Sequence, residues 1–246
     1  MKTESLQIKS LLADGIKALR QNDKTIESLL APRSDEIICL LERYIQEIEL
    51  FNSAYGLVAV ENAQELVIKH ILDSLAPLGI IARLLSGSTN GIKNGRARIA
   101  DAGSGAGLPG IPLAIALPEL DFTLIERMGR RAGFLFNTGA VLKLANITVE
   151  EGELEKTKKE QFSLVTFRAF KPLDLKFLKT LFNALTENGI IAAYKGKPEK
   201  IKTEMAPLKN YCHWEALPCP VPFLDEERHL LIIRKKLDNE TCNSPG

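Results

Sequence analysis

The densest chemistry in the chain lies in ten residues, Asp101-Ala-Gly103-Ser-Gly105-Ala-Gly107-Leu-Pro109-Gly110. Glycines admit positive φ and let a ligand approach the backbone closely. The apolar run 97–100 precedes them and the apolar stretch 111–117 follows. This spacing predicts a strand, a turn and a helix whose free N–H groups can hold an anion. It is a nucleotide-type site at the C-terminal end of a parallel strand. Glu126, 21 residues after Gly105, closes the next apolar run and is placed to accept from a ribose diol. Gly105-x-Gly107-x-x-Gly110 fits a dinucleotide fingerprint. Gly103-x-Gly105-x-Gly107 after an Asp fits the loop that S-adenosylmethionine enzymes use. Both cofactors present an adenosine diol, so Glu126 does not separate them. Pro109 withholds one donor from a pyrophosphate, which favours the second reading.

The elements that must position this loop follow from periodicity. From residue 97 short apolar runs alternate with helical stretches. Strands are predicted at 97–100, 122–125, 147–149, 162–167 and 189–194, with helices at 111–117, 130–144 and 173–185. That alternation implies a parallel sheet with helices on both faces. Residues 214–217 and 229–234, separated by Pro218, Pro220 and Pro222, are expected as an antiparallel pair at the sheet edge. The sum is a Rossmann-like α/β fold: a seven-stranded, mostly parallel sheet with an antiparallel edge strand. A dinucleotide enzyme would continue into a second mononucleotide half, so the nicotinamide-dependent dehydrogenase is the weaker alternative.

Upstream, apolar residues at Ile37, Ile38, Leu40, Leu41, Tyr44, Ile45, Ile48 and Phe51 have one-face helical spacing, predicting a helix over 34–55 with Ser34 as its cap. Weaker patterns predict helices over 6–19 and 61–76, the latter stopped by Pro77. The stretch 86–95 has loop composition. The resulting division is an N-terminal helical extension (1–33), a helical region packed on the core (34–96), the cofactor-binding core (97–236) and a tail (237–246).

Composition limits the remaining choices. Of 246 residues, 45% are hydrophobic and 26% charged, with a formal net charge of +1. This is ordinary for a soluble globular protein and argues against one that coats nucleic acid, although a local basic patch remains compatible. No apolar run reaches membrane-spanning length, and no signal peptide is evident, so a cytoplasmic protein is expected. Cys39, Cys212, Cys219 and Cys242 lack C-x2-C spacing and are expected as reduced thiols. His70 and Asp73 share a helix face. They are expected to hydrogen-bond each other, and no third residue completes a metal site.

A resemblance rests on residues in this order: His70-Ile-Leu-Asp73-Ser74, then Asp101-x-Gly-Ser-Gly-x-Gly-Leu-Pro-Gly-Ile-Pro112, then Gly129-Arg-Arg131, Phe167-Arg-Ala-Phe170 and Glu227-Arg-His229. Over about 35–236 the chain resembles the bacterial small-subunit ribosomal RNA methyltransferase G family, also called glucose-inhibited division protein B. The resemblance implies S-adenosylmethionine-dependent methylation of guanine N7 in the 530 loop of 16S rRNA, with rRNA or the small subunit as partner. It implies cofactor contacts at Gly103, Gly105, Gly107, Leu108, Glu126, Glu153, Leu154 and Arg168.

Arg168, ending the fourth strand, can pair bidentately with the methionine carboxylate of the cofactor or with an RNA phosphate. Arg168 and Lys195 are the positioning candidates. Arg127, Arg130, Arg131, Lys195, Arg228 and His229 are the candidate RNA contacts. Guanine N7 carries a free lone pair at neutral pH, so no general base is needed. Cys212 and Cys219 come too late in the chain to serve as a nucleophile beside the fourth or fifth strand. A monomer is expected. A non-catalytic RNA-binding or ribosome-assembly module that kept the cofactor loop is the remaining alternative.

Overall fold

The computed structural model describes residues 2–86, 92–93, 96–168 and 172–236. The predicted C-terminal tail, Cys242, most of the 86–95 loop and Ala169-Phe170 lie outside the described residues. Among the described residues eight strands are present: β1 (Ile92–Lys93), β2 (Arg96–Ala102), β3 (Asp121–Glu126), β4 (Ile147–Glu151), β5 (Phe162–Arg168), β6 (Leu185–Lys195), β7 (Cys212–Pro218) and β8 (His229–Lys235). Seven of them form one sheet in the order β4-β3-β2-β5-β6-β8-β7, and the two-residue β1 pairs with the start of β2. β2 to β6 run parallel, whereas β8 runs antiparallel to both β6 and β7. The antiparallel edge is therefore a hairpin whose reversed strand sits one place in from the rim.

Successive side chains along a strand point to opposite faces, and two core clusters follow from that. Ile99, Leu124, Leu164, Ile190, Ala192, Leu230 and Ile232 face one side. Ala100, Ile125, Val165, Ile191, Ala193, Leu231 and Ile233 face the other. The first face is covered by α3 (Ser34–Tyr55), α7 (Gly110–Ala116) and α8 (Gly129–Leu142). The second is covered by α9 (Leu175–Ala184) and α10 (Pro198–Met205), with Phe167 and Phe177 edge-on at 5.4 Å. On the first face the layer also holds α1 (Lys2–Asn22), α2 (Lys24–Leu30), α4 (Ala63–Leu66), α5 (Asp73–Leu75) and α6 (Leu78–Ser86). Leu12, Ile16 and Leu30 from this layer are fully buried in the same core as the sheet.

Two local expectations are corrected. Ser34 does not cap α3: a single turn at Ala31–Arg33 runs straight into the helix, and the Ser34 hydroxyl instead accepts from Arg20 at 3.3 Å. Pro32 fits inside that turn because early helical positions need no N–H donor. The 61–76 helix is present over 63–75 but widens at Val67–Leu72, where the Asp73 N–H bonds the Ile68 carbonyl five residues back. Such widened turns are frequent at functional sites, and this one carries His70.

Candidate functional site

Parallel topology places the C-terminal ends of β2, β3, β5 and β6 on one edge of the sheet. Antiparallel β8 brings its first residue there too, since His229 pairs with Lys195. The chain order reverses at β2, which lies between β3 and β5, and this is where open α/β sheets bind ligands. A cavity of about 1280 Å3 opens at that edge.

One wall is backbone. Gly103, Gly105 and Gly107 have φ of +70°, +59° and +90°. A Cβ on Gly105 would meet only the Gly103 carbonyl at 3.9 Å, so the loop presents bare backbone to open space. Gly107 and Gly110 are glycines for packing: a Cβ would lie 2.4 Å from Ile111 or from Leu124. Glu126 is buried and organises the loop, accepting from Gly105 N–H at 2.9 Å and Met128 N–H at 2.8 Å. Asp101 accepts from the Ser104 hydroxyl at 2.6 Å and Gly110 N–H at 3.0 Å. Burial pushes its carboxyl up to about 6, against those two hydrogen bonds. Its Oδ1 is buried without a partner. Behind the loop, the buried Tyr44 hydroxyl donates to the Ala106 carbonyl at 2.7 Å.

The opposite wall is charged. Asp73, 5% exposed, holds two guanidiniums: Arg168 Nη1 lies 2.8 Å from Oδ2, and Arg228 Nε lies 3.2 Å from Oδ1. Arg168 also donates to the Lys69 carbonyl at 3.2 Å and meets His70 Nδ1 at 2.9 Å. Burial first, and Arg168 second, lower the His70 pKa to about 4. Lys195 is gripped by both oxygens of Glu204, at 2.8 and 2.7 Å, and sits 5.8 Å over the Phe167 ring. Tyr194 donates to the Ser74 carbonyl at 2.7 Å, tying this helix to the sheet edge.

Of the residues singled out in sequence, Gly103, Gly105, Leu108, Arg131, Arg168, Lys195 and Arg228 line the cavity. Gly107, Glu126, Glu153, Leu154, Arg127, Arg130 and His229 are not among the described residues that line it. Leu154 is buried in the second-face core, and Glu153 turns outward to Lys156 at 3.6 Å. His229 Nδ1 lies 2.8 Å from the Gly196 carbonyl, and Arg131 reaches the Gly56 carbonyl at 2.8 Å. Arg127 and Arg130 are exposed.

Three expectations change. His70 and Asp73 are each bonded to Arg168 rather than to one another. Arg168 therefore spends donors inside the protein, which also fixes its orientation. Lys195, a candidate RNA contact, is ion-paired within the protein because α10 brings Glu204 against it. Helix α10 escaped the sequence reading because only Ile201 and Met205 are buried on it, too few to form a periodic signal. Its Glu199, Lys200, Thr203 and Glu204 nonetheless line the cavity.

Comparison with known proteins decides the family. The model of the family described as rRNA small subunit methyltransferase G matches residues 37–231. The chain belongs to this family. Ribosomal RNA small subunit methyltransferase G of Treponema denticola is 38% identical, over 96% of this chain and all of that protein. The protein of the same name from Klebsiella pneumoniae is 36% identical, over 80% of this chain and 88% of its own length. Among solved structures, a SAM-dependent methyltransferase from Aquifex aeolicus superposes with a TM-score of 0.50 at 15% identity. That superposition covers 66% of this chain and 92% of the other, and it shows a shared fold. The family match starts at residue 37, inside α3, so α1 and α2 precede the matched region.

Proposed function

We propose that the chain transfers a methyl group from S-adenosylmethionine directly to N7 of a guanine in the 530 loop of 16S rRNA. Family membership makes it a methyltransferase of small-subunit rRNA; the atom, the loop and the direct transfer are our reading. The carrying observation is that four acid–base groups of the cavity, Asp73, Glu204, Tyr194 and His70, are committed. Both oxygens of Asp73 hold arginines, and both oxygens of Glu204 meet Lys195. The Tyr194 hydroxyl donates to Ser74, and the Nδ1 lone pair of His70 faces Arg168. An amine or hydroxyl acceptor needs a base to take its proton. Guanine N7 needs none, and that suits a cavity in which these four groups are engaged.

The loop fits the cofactor: Gly105 leaves bare backbone where a side chain would intrude, and Asp101 Oδ1 is an unfilled acceptor beneath it. Gly103 to Ala106 and Leu108 would hold the cofactor, and Glu126 would keep the loop open for the adenosine. When bound, S-adenosylmethionine supplies an electrophilic methyl whose C–S bond breaks, with its electrons onto sulfur, as the N7–C bond forms; no proton moves. The chain's own task is alignment at about 3–3.5 Å. Arg168 and Arg228, locked by Asp73, form the rigid face against which the nucleotide is set. Arg127 and Arg130 are exposed cations placed to meet phosphates. We take the enzyme to act as a monomer in the cytoplasm; among the described residues no helix is long and apolar enough to cross a membrane.

The product provides the test. A 7-methylguanosine is cationic, and after borohydride reduction aniline cuts the RNA chain at that nucleotide. Loss of the gene should abolish one such cut in 16S rRNA, and the purified enzyme with S-adenosylmethionine should restore it on subunits from that strain. A cut that persists, or label on an exocyclic amine or ribose, overturns the N7 reading.

A further inference from the structure

We infer that His70 is the residue that recognises the target base, its Nε2–H donating to guanine O6 and thereby turning N7 toward the methyl group. The inference rests on the guanine N7 reading above.

The tautomer comes from geometry. A guanidinium has only donors, so the 2.9 Å contact with Arg168 Nη2 makes His70 Nδ1 an acceptor. The neutral ring must then carry its hydrogen on Nε2. A pKa near 4, set by burial and by Arg168, keeps the ring neutral at physiological pH. The ring borders the cavity, and among the described residues its one hydrogen bond is at Nδ1, which leaves the Nε2 donor for a ligand.

The donor is also held still. Arg168 is pinned by Asp73 at 2.8 Å and by the Lys69 carbonyl at 3.2 Å, and Asp73 is braced by Arg228 at 3.2 Å. His70 lies within the widened turn at Val67–Leu72. Preorganised donors of this kind contribute most where water is excluded. The volume leaves room: about 1280 Å3 exceeds the roughly 300–1,000 Å3 typical of a single-ligand pocket. A cofactor on the glycine wall and an extruded base on the charged wall fit together.

The chemistry selects guanine. O6 and N7 lie on one edge, both acceptors, whereas adenine offers N6–H2, a donor, in the O6 position. Adenine would set donor against donor, which is discrimination by an unpaired polar group. A neutral donor also adds no positive charge beside a ring that becomes cationic as it is methylated.

The experiment uses small subunits reconstituted with guanine, inosine or 2-aminopurine at the target position. Inosine keeps O6 and N7; 2-aminopurine keeps N7 and lacks O6. Wild type should methylate guanine and inosine alike and lose about tenfold on 2-aminopurine, the scale of one hydrogen bond. His70→Ala should lose about tenfold on guanine and show no further loss on 2-aminopurine. His70→Gln should recover part of the rate, because its amide can accept from Arg168 and still donate. Cofactor titration and thermal melting report whether each variant is folded. If His70→Ala loses on 2-aminopurine the same factor as wild type, O6 is not its partner and the inference is overturned. If wild type leaves N7 of guanine unmethylated in this assay, the N7 reading fails first and separately.

Discussion

The two walls of the cavity are built by different means. The glycine wall is made by backbone: its hydrogen bonds to carboxylates join residues within one βαβ unit, Gly105 to Glu126 and Gly110 to Asp101. The charged wall is made by side chains far apart in sequence. Arg168 lies 95 residues from Asp73, and Arg228 lies 155 residues from it. The first wall forms from one βαβ unit and is braced from behind by Tyr44 of α3. The second needs the whole sheet, since it joins a helix of the N-terminal layer to the ends of β5, β6 and β8. Cofactor binding and acceptor placement are therefore separable in this fold, and mutations should separate them.

The largest effect is expected at Asp73. Asp73→Ala leaves two guanidiniums, 15% and 22% exposed, without their carboxylate. Breaking a buried pair costs about 3–5 kcal/mol; these arginines reach some solvent, so we expect about 2–3 kcal/mol in denaturant unfolding. Methyl transfer should fall by about 100-fold, the scale of a misaligned reactant. S-adenosylmethionine affinity, measured by calorimetry, should change by less than about threefold. An equal loss of affinity would erase the distinction between the walls. Arg168→Lys should show the same pattern more weakly, because an ammonium cannot reproduce the forked contact to Asp73 and His70.

Glu126→Ala is the mirror experiment. It removes an acceptor for Gly105 and Met128 and, in our reading, for the ribose. Hydrogen bonds to a charged group contribute about 1.5–3 kcal/mol, so affinity for the cofactor should fall about 10- to 100-fold. Turnover at saturating cofactor should stay within about threefold of wild type. A collapse of turnover at saturation would couple the walls after all.

The smallest effect separates the walls by acid titration of stability. His70, on the charged wall, has its folded pKa lowered from 6.5 to about 4. The unfolded chain then binds the extra proton, so this group removes stability as pH falls from 6.5 toward 4. Asp101, on the glycine wall, is raised from 3.8 to about 6. Here the folded chain binds the extra proton, so stability falls as pH rises from 3.8 toward 6. Between pH 4 and 6 the two slopes oppose. Stability of His70→Gln should therefore fall more steeply with rising pH in that window than wild type, and stability of Asp101→Asn should rise more steeply. Unfolding midpoints measured at half-unit pH steps test both signs. Parallel curves for the two variants would mean the groups do not titrate as their surroundings imply.

The sequence by itself read the stretch holding β1 as loop, but it determined β2 to β8 with boundaries to within a few residues, the glycine turn and the acid at the end of β3. Each is written in contiguous residues: alternating apolar runs, four glycines in eight positions and a 21-residue step to Glu126. It also placed His70, Asp73, Arg168, Lys195 and Arg228 among the residues of interest, pairing His70 with Asp73 and leaving the others separate. It did not show α2, α6 or α10, which are short and whose burial depends on what packs against them. Nor did it pair Glu204 with Lys195, or turn His70 and Asp73 away from each other and onto Arg168. Tertiary structure decided those partners because strand order, not chain order, sets which strand ends share an edge. A carboxylate pairs with the cations that the finished sheet brings within about 3 Å of it, and no spacing rule in the chain records that distance.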